Sequence, residues 1–197
     1  MKLFFASHNL DKKKEIEYIV SPEKILVLYI DDFPKYPEVK ETGTTLEENA
    51  ILKAKSGFDF TGIDTFAEDT GLFVEYLNNG LGVMTARYAG EGASYSDNCT
   101  LLLKNLDGVP PKKRKAYFKT VIVFKQKEKI RLFTGICEGK ISEKFSGKNG
   151  FGYDPLFIPN GYGVTFAELD KNIKNRISHR AKAVLRFSDY LKNNFGA

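Results

Sequence analysis

Between residues 116 and 124 the chain alternates with period two, placing Ala116, Phe118, Thr120, Ile122 and Phe124 on one face. That is the side-chain repeat of a β-strand. A second long, largely apolar run fills residues 130–141, and only Gln126-Lys127-Glu128-Lys129 separates the two. The pattern predicts a long β-hairpin in the second half of the chain.

The first half alternates strands with helices. Residues 2–6 read as a short strand, and residues 10–20 as a helix with Ile16 and Ile19 facing inward. An apolar run at 25–30, bounded by Pro22 and Asp31-Asp32, reads as a second strand. Two prolines and a glycine make residues 33–43 a loop. A helix follows over 45–57, where Thr45 and Glu48 form a capping box. Residues 66–67 and 72–76 read as strands interrupted by a polar turn, Glu68-Asp69-Thr70-Gly71. Asn78-Asn79-Gly80 is a further turn. Residues 94–106 read as a helix, 148–159 as a Gly- and aromatic-rich loop, and 178–195 as a final amphipathic helix with Ala181, Val184, Leu185 and Leu191 inward. No repeat or linker breaks the 197 residues. The order predicts an α/β fold, a mixed twisted β-sheet with flanking helices, in a single domain over residues 1–197.

Composition narrows the chemistry. No stretch approaches the apolar length of a membrane span. The start at Met1 has the charge of a signal peptide, but Ser7-His8-Asn9 and a run of lysines end its apolar stretch too early. Cys99 and Cys137 lack metal or redox spacing and are expected as buried free thiols in a reducing cytoplasm. His8 and His179 are the only histidines, so a multi-histidine metal site is excluded. Any metal is then held by carboxylates, which favours Mg²⁺ with Mn²⁺ as a substitute. A net charge of +5 attracts polyanions, either nucleic acid or a small polyphosphate. The run Lys112-Lys113-Arg114-Lys115 reads as a lysine-defended strand edge. Aromatic interleaving there is thin for a nucleic-acid surface.

Five segments carry candidate chemistry, each with a plain structural alternative. Ser7, His8, Asn9, Leu10, Asp11 and Lys12 lie where a strand passes into a helix, with Lys13 and Lys14 following. Lysines there oppose the helix dipole, which a bound phosphate would resolve; the alternative is an exposed basic turn compensated by Asp11. On the 45–57 helix, Asn49 and Lys53 share or border the apolar arc of Leu46, Ala50 and Ala54, with Glu48 and Lys55 opposite. Lys53 then needs a carboxylate or phosphate partner, unless its stem carries the charge out to water. Glu68 and Asp69 end an apolar strand and have the chemistry to hold Mg²⁺ and orient water, with Glu41 a third oxygen donor. Strand alternation turns adjacent carboxylates to opposite sides unless a turn twists both inward. In Gly150-Phe151-Gly152-Tyr153-Asp154-Pro155, Phe151 or Tyr153 could stack on a base and Asp154 could accept from a ring N–H. Ser178 reads as the N-cap of the last helix, leaving His179 and Arg180 in a first turn that disfavours cations.

With these residues in hand, the chain resembles the Ham1, or inosine-triphosphate pyrophosphatase, family, which acts on non-standard purine nucleotides. The segments that carry the resemblance are SHNLDKKKE (7–15), ETGTTLEENAILKA (41–54), AEDTGL (67–72), GVMTARYAG (82–90), GFGYDPLF (150–157) and SHRAKA (178–183). The resemblance implies two lobes enclosing a central nucleotide cleft, a homodimer, and a cytoplasmic location without a membrane or a specific nucleic-acid partner. It implies hydrolysis of ITP, dITP, XTP or dXTP to the monophosphate and pyrophosphate, by attack of water at the α-phosphorus with one Mg²⁺ per subunit. By resemblance, the residues from Ser7 to Lys12 contact phosphate, assisted by Lys53 beside Asn49. Asp69 is the catalytic acid/base and a metal ligand, and Thr70 and Arg87 touch the substrate. Phe151, Gly152, Tyr153, Asp154, Lys174, His179 and Arg180 read the base, donors from the last two pairing with the purine 6-oxo group.

The chain departs from the family pattern at several places. Glu68-Asp69-Thr70-Gly71 replaces Asp-Asp-Ser-Gly. Lys40 stands where a metal-binding glutamate is usual, which leaves Glu41 and Glu68 as candidates for the second ligand. His8 replaces a small residue. Competing expectations are a Maf-like enzyme of pyrimidine or broader preference, a nucleic-acid binder using residues 112–131, and a nucleotide sensor without catalysis.

Overall fold

The computed structural model describes residues 1–19 and 25–196. The side chain of Ile19 and the helix end expected at Val20, like the boundary at Pro22, lie outside the described residues. Six strands form one sheet in the order β2-β1-β3-β4-β5-β6. They are β1 (Lys2–Phe5), β2 (Leu26–Leu28), β3 (Thr65–Val74), β4 (Lys115–Lys125), β5 (Ile130–Ile141) and β6 (Phe157–Pro159). β1 pairs parallel with β2 and β3, and β5 pairs antiparallel with β6, so the sheet is mixed. Five helices accompany it: α1 (Leu10–Ile19), α2 (Leu46–Thr61), α3 (Tyr95–Asn105), α4 (Lys171–Ile177) and α5 (His179–Phe195). This is the α/β class that the sequence predicts. Among the described residues no helix is long and apolar enough to cross a membrane.

The chain divides into two compact units. The first comprises Met1–Asp69, Thr120–Gly135 and Arg180–Ala197; the second comprises Thr70–Lys119 and Ile136–His179. Each has its own core. In the first, Leu3, Phe5 and Phe66 pack with Ile16, Phe124, Val184 and Phe187. In the second, Leu72 and Leu102 pack with Phe118, Tyr153, Leu156, Phe157 and Phe166.

Several elements differ from expectation for identifiable reasons. β3 is one continuous strand through Glu68-Asp69-Thr70-Gly71, not two strands around a turn, because partners from elsewhere satisfy both carboxylates. β4 has strands on both sides and is buried on both faces from Thr120 to Phe124, so the basic run before it does not guard an edge. Within that run, buried Arg114 donates to the carbonyls of Val109, Ser142 and Leu106 at 2.9, 2.9 and 2.7 Å. β2 is shorter than the apolar run around it, and Ile30–Asp32 forms a 3-10 turn.

α2 begins as expected: Thr45 Oγ1 accepts the Glu48 N–H at 3.1 Å, and the Glu48 carboxylate accepts the Thr44 N–H at 2.7 Å. It continues beyond Gly57 to a cap at Gly62. Gly57 serves close packing instead: a Cβ there would lie 2.7 Å from Thr65 Cγ2 and 3.0 Å from Ala6 Cβ. In α5, Ala181, Val184 and Leu191 are buried as predicted, whereas Leu185 is 48% exposed. One residue on from Val184 is about 100° around the helix, and Phe187 fills the inward place. α4 and β6 have no counterpart in the sequence reading. Cys99 and Cys137 are free and buried, as expected.

Candidate functional site

In the first unit, the loop into α1 is organised by Asn9. Its Oδ1 accepts the N–H groups of Asp11 and Lys12, both at 3.0 Å, and so caps the helix. Those two amides are therefore already partnered. Lys13 pairs with Asp31 at 3.1 Å and lies 4.1 Å over the Tyr29 ring. Lys12 reaches Glu68 at 3.3 Å. His8 is exposed with its ring 6.0 Å from that of Tyr36, Leu10 is 61% exposed, Ser7 Oγ accepts the Asn9 N–H, and Asp11 lies 3.9 Å from Lys14.

Strand alternation carries the two carboxylates of β3 apart. Phe66, two residues before Glu68, packs against Phe187 of α5, while Thr65 and the Asp69 side of the strand face Gly57 of α2. Glu68 is fully buried and accepts from Arg180 Nε through both oxygens, at 3.0 and 2.9 Å. Arg180 Nη1 donates to Glu15. Burial alone would push the Glu68 carboxyl up, but Arg180 and Lys12 outweigh it and hold the pKa at about 2. The same burial draws the Lys12 ammonium below its ordinary value despite Glu68.

On the other face, Lys53 bridges two acids. Its Nζ donates to Glu41 at 2.7 Å and to Asp69 at 2.9 Å, and Asn49 Nδ2 lies 3.5 Å from Asp69. Burial would lower the Lys53 pKa, but Asp69 and Glu41 raise it above the usual lysine value. The inward placement of Asn49 and Lys53 read from the helical period is thus what the structure shows, with Glu48 and Lys55 outside.

Among the described residues, no three His, Cys, Asp or Glu side chains form a group that could hold a metal ion. The set Glu41, Glu68 and Asp69 is not one site, because Arg180 takes both Glu68 oxygens and Glu68 faces away from Asp69. Glu41 and Asp69 remain, converging on one cationic position. Mg²⁺ commonly uses one or two carboxylates and completes its shell with water and substrate phosphate. This pair fits that chemistry.

In the second unit, the Gly-aromatic loop is held by Asp154. Its Oδ2 accepts from Lys174 Nζ at 2.5 Å and from the Phe151 N–H at 2.9 Å. Lys174 Nζ also lies 5.2 Å over the Phe151 ring. Tyr153 is buried, and its hydroxyl donates to Thr85 O at 2.9 Å, so it is a core residue and Phe151 is the half-buried ring of the loop. Gly152 O accepts from the Cys99 thiol at 3.3 Å, and burial pushes that thiol up to about 12. Arg87, on the 3-10 turn Thr85–Arg87, is half-buried with Nε 3.4 Å from Met84 Sδ; Thr70 is half-buried on β3.

His179 and Arg180 have different surroundings. His179 is buried with its ring 4.4 Å from Phe118 at 14°, and Arg180 is committed to Glu68 and Glu15. Successive helical residues diverge by about 100°, which sends them to different surroundings. The sequence marks Glu15 only by its position, one residue before inward-facing Ile16 and three after Lys12.

Gly150 has φ +75°, and a Cβ there would fall 1.9 Å from Asp154 Oδ2. Gly161 has φ +85° with no atom within 4 Å of its Cβ position. Both alanine variants are expected to carry backbone strain of about 1–3 kcal/mol. Gly150→Ala additionally displaces the Asp154 carboxylate, so urea unfolding should show the larger loss at Gly150. Equal losses would mean that the carboxylate moves without cost.

Residues 3–190 match the model of the Ham1 family. The chain belongs to the Ham1 family. Relatives of this Ham1 chain include the dITP/XTP pyrophosphatases of Flavobacterium johnsoniae and a Thermoanaerobacter species. The first is 48% identical over 97% of this chain and 98% of that protein, the second 46% identical over 97% and 96%. Among solved structures, the Ham1 protein of Coxiella burnetii aligns with a TM-score of 0.90 at 35% identity, covering 98% of this chain and 99% of that one. The Staphylococcus aureus Ham1 protein aligns at 0.88 and 34% identity, with the same coverage.

Proposed function

We propose that this chain hydrolyses non-standard purine nucleoside triphosphates, dITP and XTP foremost, to the monophosphate and pyrophosphate. The observation that carries the reading is near full-length similarity, at 46–48% identity, to dITP/XTP pyrophosphatases. The carboxylate–lysine cluster around Asp69 supplies chemistry suited to such a reaction.

A triphosphate carries about four negative charges near neutral pH, and these must be offset before a nucleophile approaches. Lys12 and Lys53 supply two cations. Lys12 is the better placed to exchange partners, because it meets Glu68 at 3.3 Å while Arg180 keeps both Glu68 oxygens hydrogen-bonded. Asp69 orients the attacking water and accepts its proton. Asp69 and Glu41 would hold Mg²⁺, which would supply further charge compensation. Phe151 offers the stacking face for the purine, and Lys174, fixed by Asp154, a donor for an oxo group. His179 acts from its place against Phe118. Glu68 and Arg180 act through the charges they hold in position. The protein is proposed to be cytoplasmic and a homodimer, the latter checked by sedimentation.

The test is pyrophosphate release from dITP, ITP, XTP, GTP and ATP, each with Mg²⁺ and with EDTA. Turnover of dITP, ITP and XTP well above ATP, abolished by EDTA, is expected. Equal turnover of all five, or preference for ATP, refutes the reading.

A further inference from the structure

We propose that Tyr95 is a positioning residue for the purine, acting through the Phe151 ring, against which its own ring packs. The inference rests on the purine triphosphate reading above. Ser94 and Asp97 form a capping box. Ser94 Oγ accepts the Asp97 N–H at 3.1 Å, and the Asp97 carboxylate accepts the Ser94 N–H at 2.9 Å. That box fixes the first turn of α3, and Tyr95 is its first residue. The Tyr95 ring lies 5.8 Å from the Phe151 ring at an interplanar angle of 44°.

The Phe151 N–H donates to the Asp154 carboxylate, and its ring lies 5.2 Å from the Lys174 ammonium. The Tyr95 ring adds a second constraint on its tilt, because aromatic pairs prefer particular offsets and angles. Tyr95 is 43% exposed and lies outside the core of its unit, so core packing does not account for its place. It is also a poorer helix former than alanine at an exposed position.

KM and kcat for XTP hydrolysis, read by pyrophosphate release, are to be compared in wild type, Tyr95→Ala and Tyr95→Phe. Inorganic tripolyphosphate serves as a competitive inhibitor that has no base. Tyr95→Ala is expected to raise KM about 3- to 10-fold, the usual worth of an aromatic pair. Its kcat should stay within about twofold, since the ring does not touch the reacting phosphate. Tyr95→Phe should behave as wild type, and tripolyphosphate inhibition should be the same in all three. Should the alanine variant not fold, Tyr95→Leu carries the same expectation. An unchanged KM in the alanine or leucine variant overturns the inference, as does an equal loss of tripolyphosphate binding. A wild type inactive on XTP overturns the functional reading and this inference with it; an active wild type isolates the result to Tyr95.

Discussion

Asp69→Asn is expected to lower kcat by roughly 10²–10⁴-fold, the range for loss of a positioned general base, while leaving the fold intact. The substitution keeps the shape of the side chain and removes its charge and basicity. Lys53 retains Glu41 at 2.7 Å, so its ammonium is not left without an anion. The cost to folding is local. Asp69 accepts from both Lys53 and Asn49 Nδ2, and an amide has only one accepting oxygen. Asn49 cannot simply turn over to help, because its Oδ1 accepts the Gly43 N–H at 2.8 Å. One donor is left unsatisfied, at about 1–3 kcal/mol. A modest drop in melting temperature with a large drop in turnover is therefore the signature. Near-normal kcat in a folded Asp69→Asn protein removes Asp69 from the chemistry. The matching control is Glu48→Gln on the outer face of α2, which should leave turnover unchanged.

Local periodicity made part of this site readable in advance. Asn49 and Lys53 stood out because a 3.6-residue repeat placed polar groups on an apolar arc, and the structure buries both. The hairpin of β4 and β5 was readable from a period of two. Misread segments depended on partners distant in the chain. Glu68-Asp69-Thr70-Gly71 has the composition of a turn, yet it stays in β3 because Arg180 lies 112 positions from Glu68 and supplies its counter-charge. No local rule contains that pairing. Likewise, His179 and Arg180 look equivalent as neighbours at a helix start, and only the phase of α5 sends one to Phe118 and the other to Glu68. α4 did leave a signal in Asp170, whose carboxylate accepts the Asn172 N–H at 2.7 Å. Seven residues were too few to show a period. Tyr153 and Phe151 could not be ranked by sequence because both are aromatic beside glycine; the hydrogen bond to Thr85 O decides which is core.

The second large effect concerns stability. Arg180→Ala is expected to destabilise the protein by about 3–5 kcal/mol, the cost of breaking a buried ion pair from one side. For a chain of this size that lowers Tm by roughly 6–20 °C. Arg180 is 2% exposed and serves two carboxylates, Glu68 through Nε and Glu15 through Nη1. Without it, Glu68 is left with Lys12 at 3.3 Å, a cation itself disfavoured by burial. Arg180→Lys should recover only part of the loss, because a point charge cannot reproduce the planar fork that meets two acids at once. The decisive arm is the triple variant Glu15→Gln, Glu68→Gln, Arg180→Met. It removes both stranded carboxylates and should be more stable than Arg180→Ala alone, since a buried amide without its partner costs less than a buried carboxylate without its cation. If the triple variant is instead the less stable of the two, the cluster contributes net folding energy through its hydrogen bonds, and the penalty in Arg180→Ala does not come from stranded carboxylates.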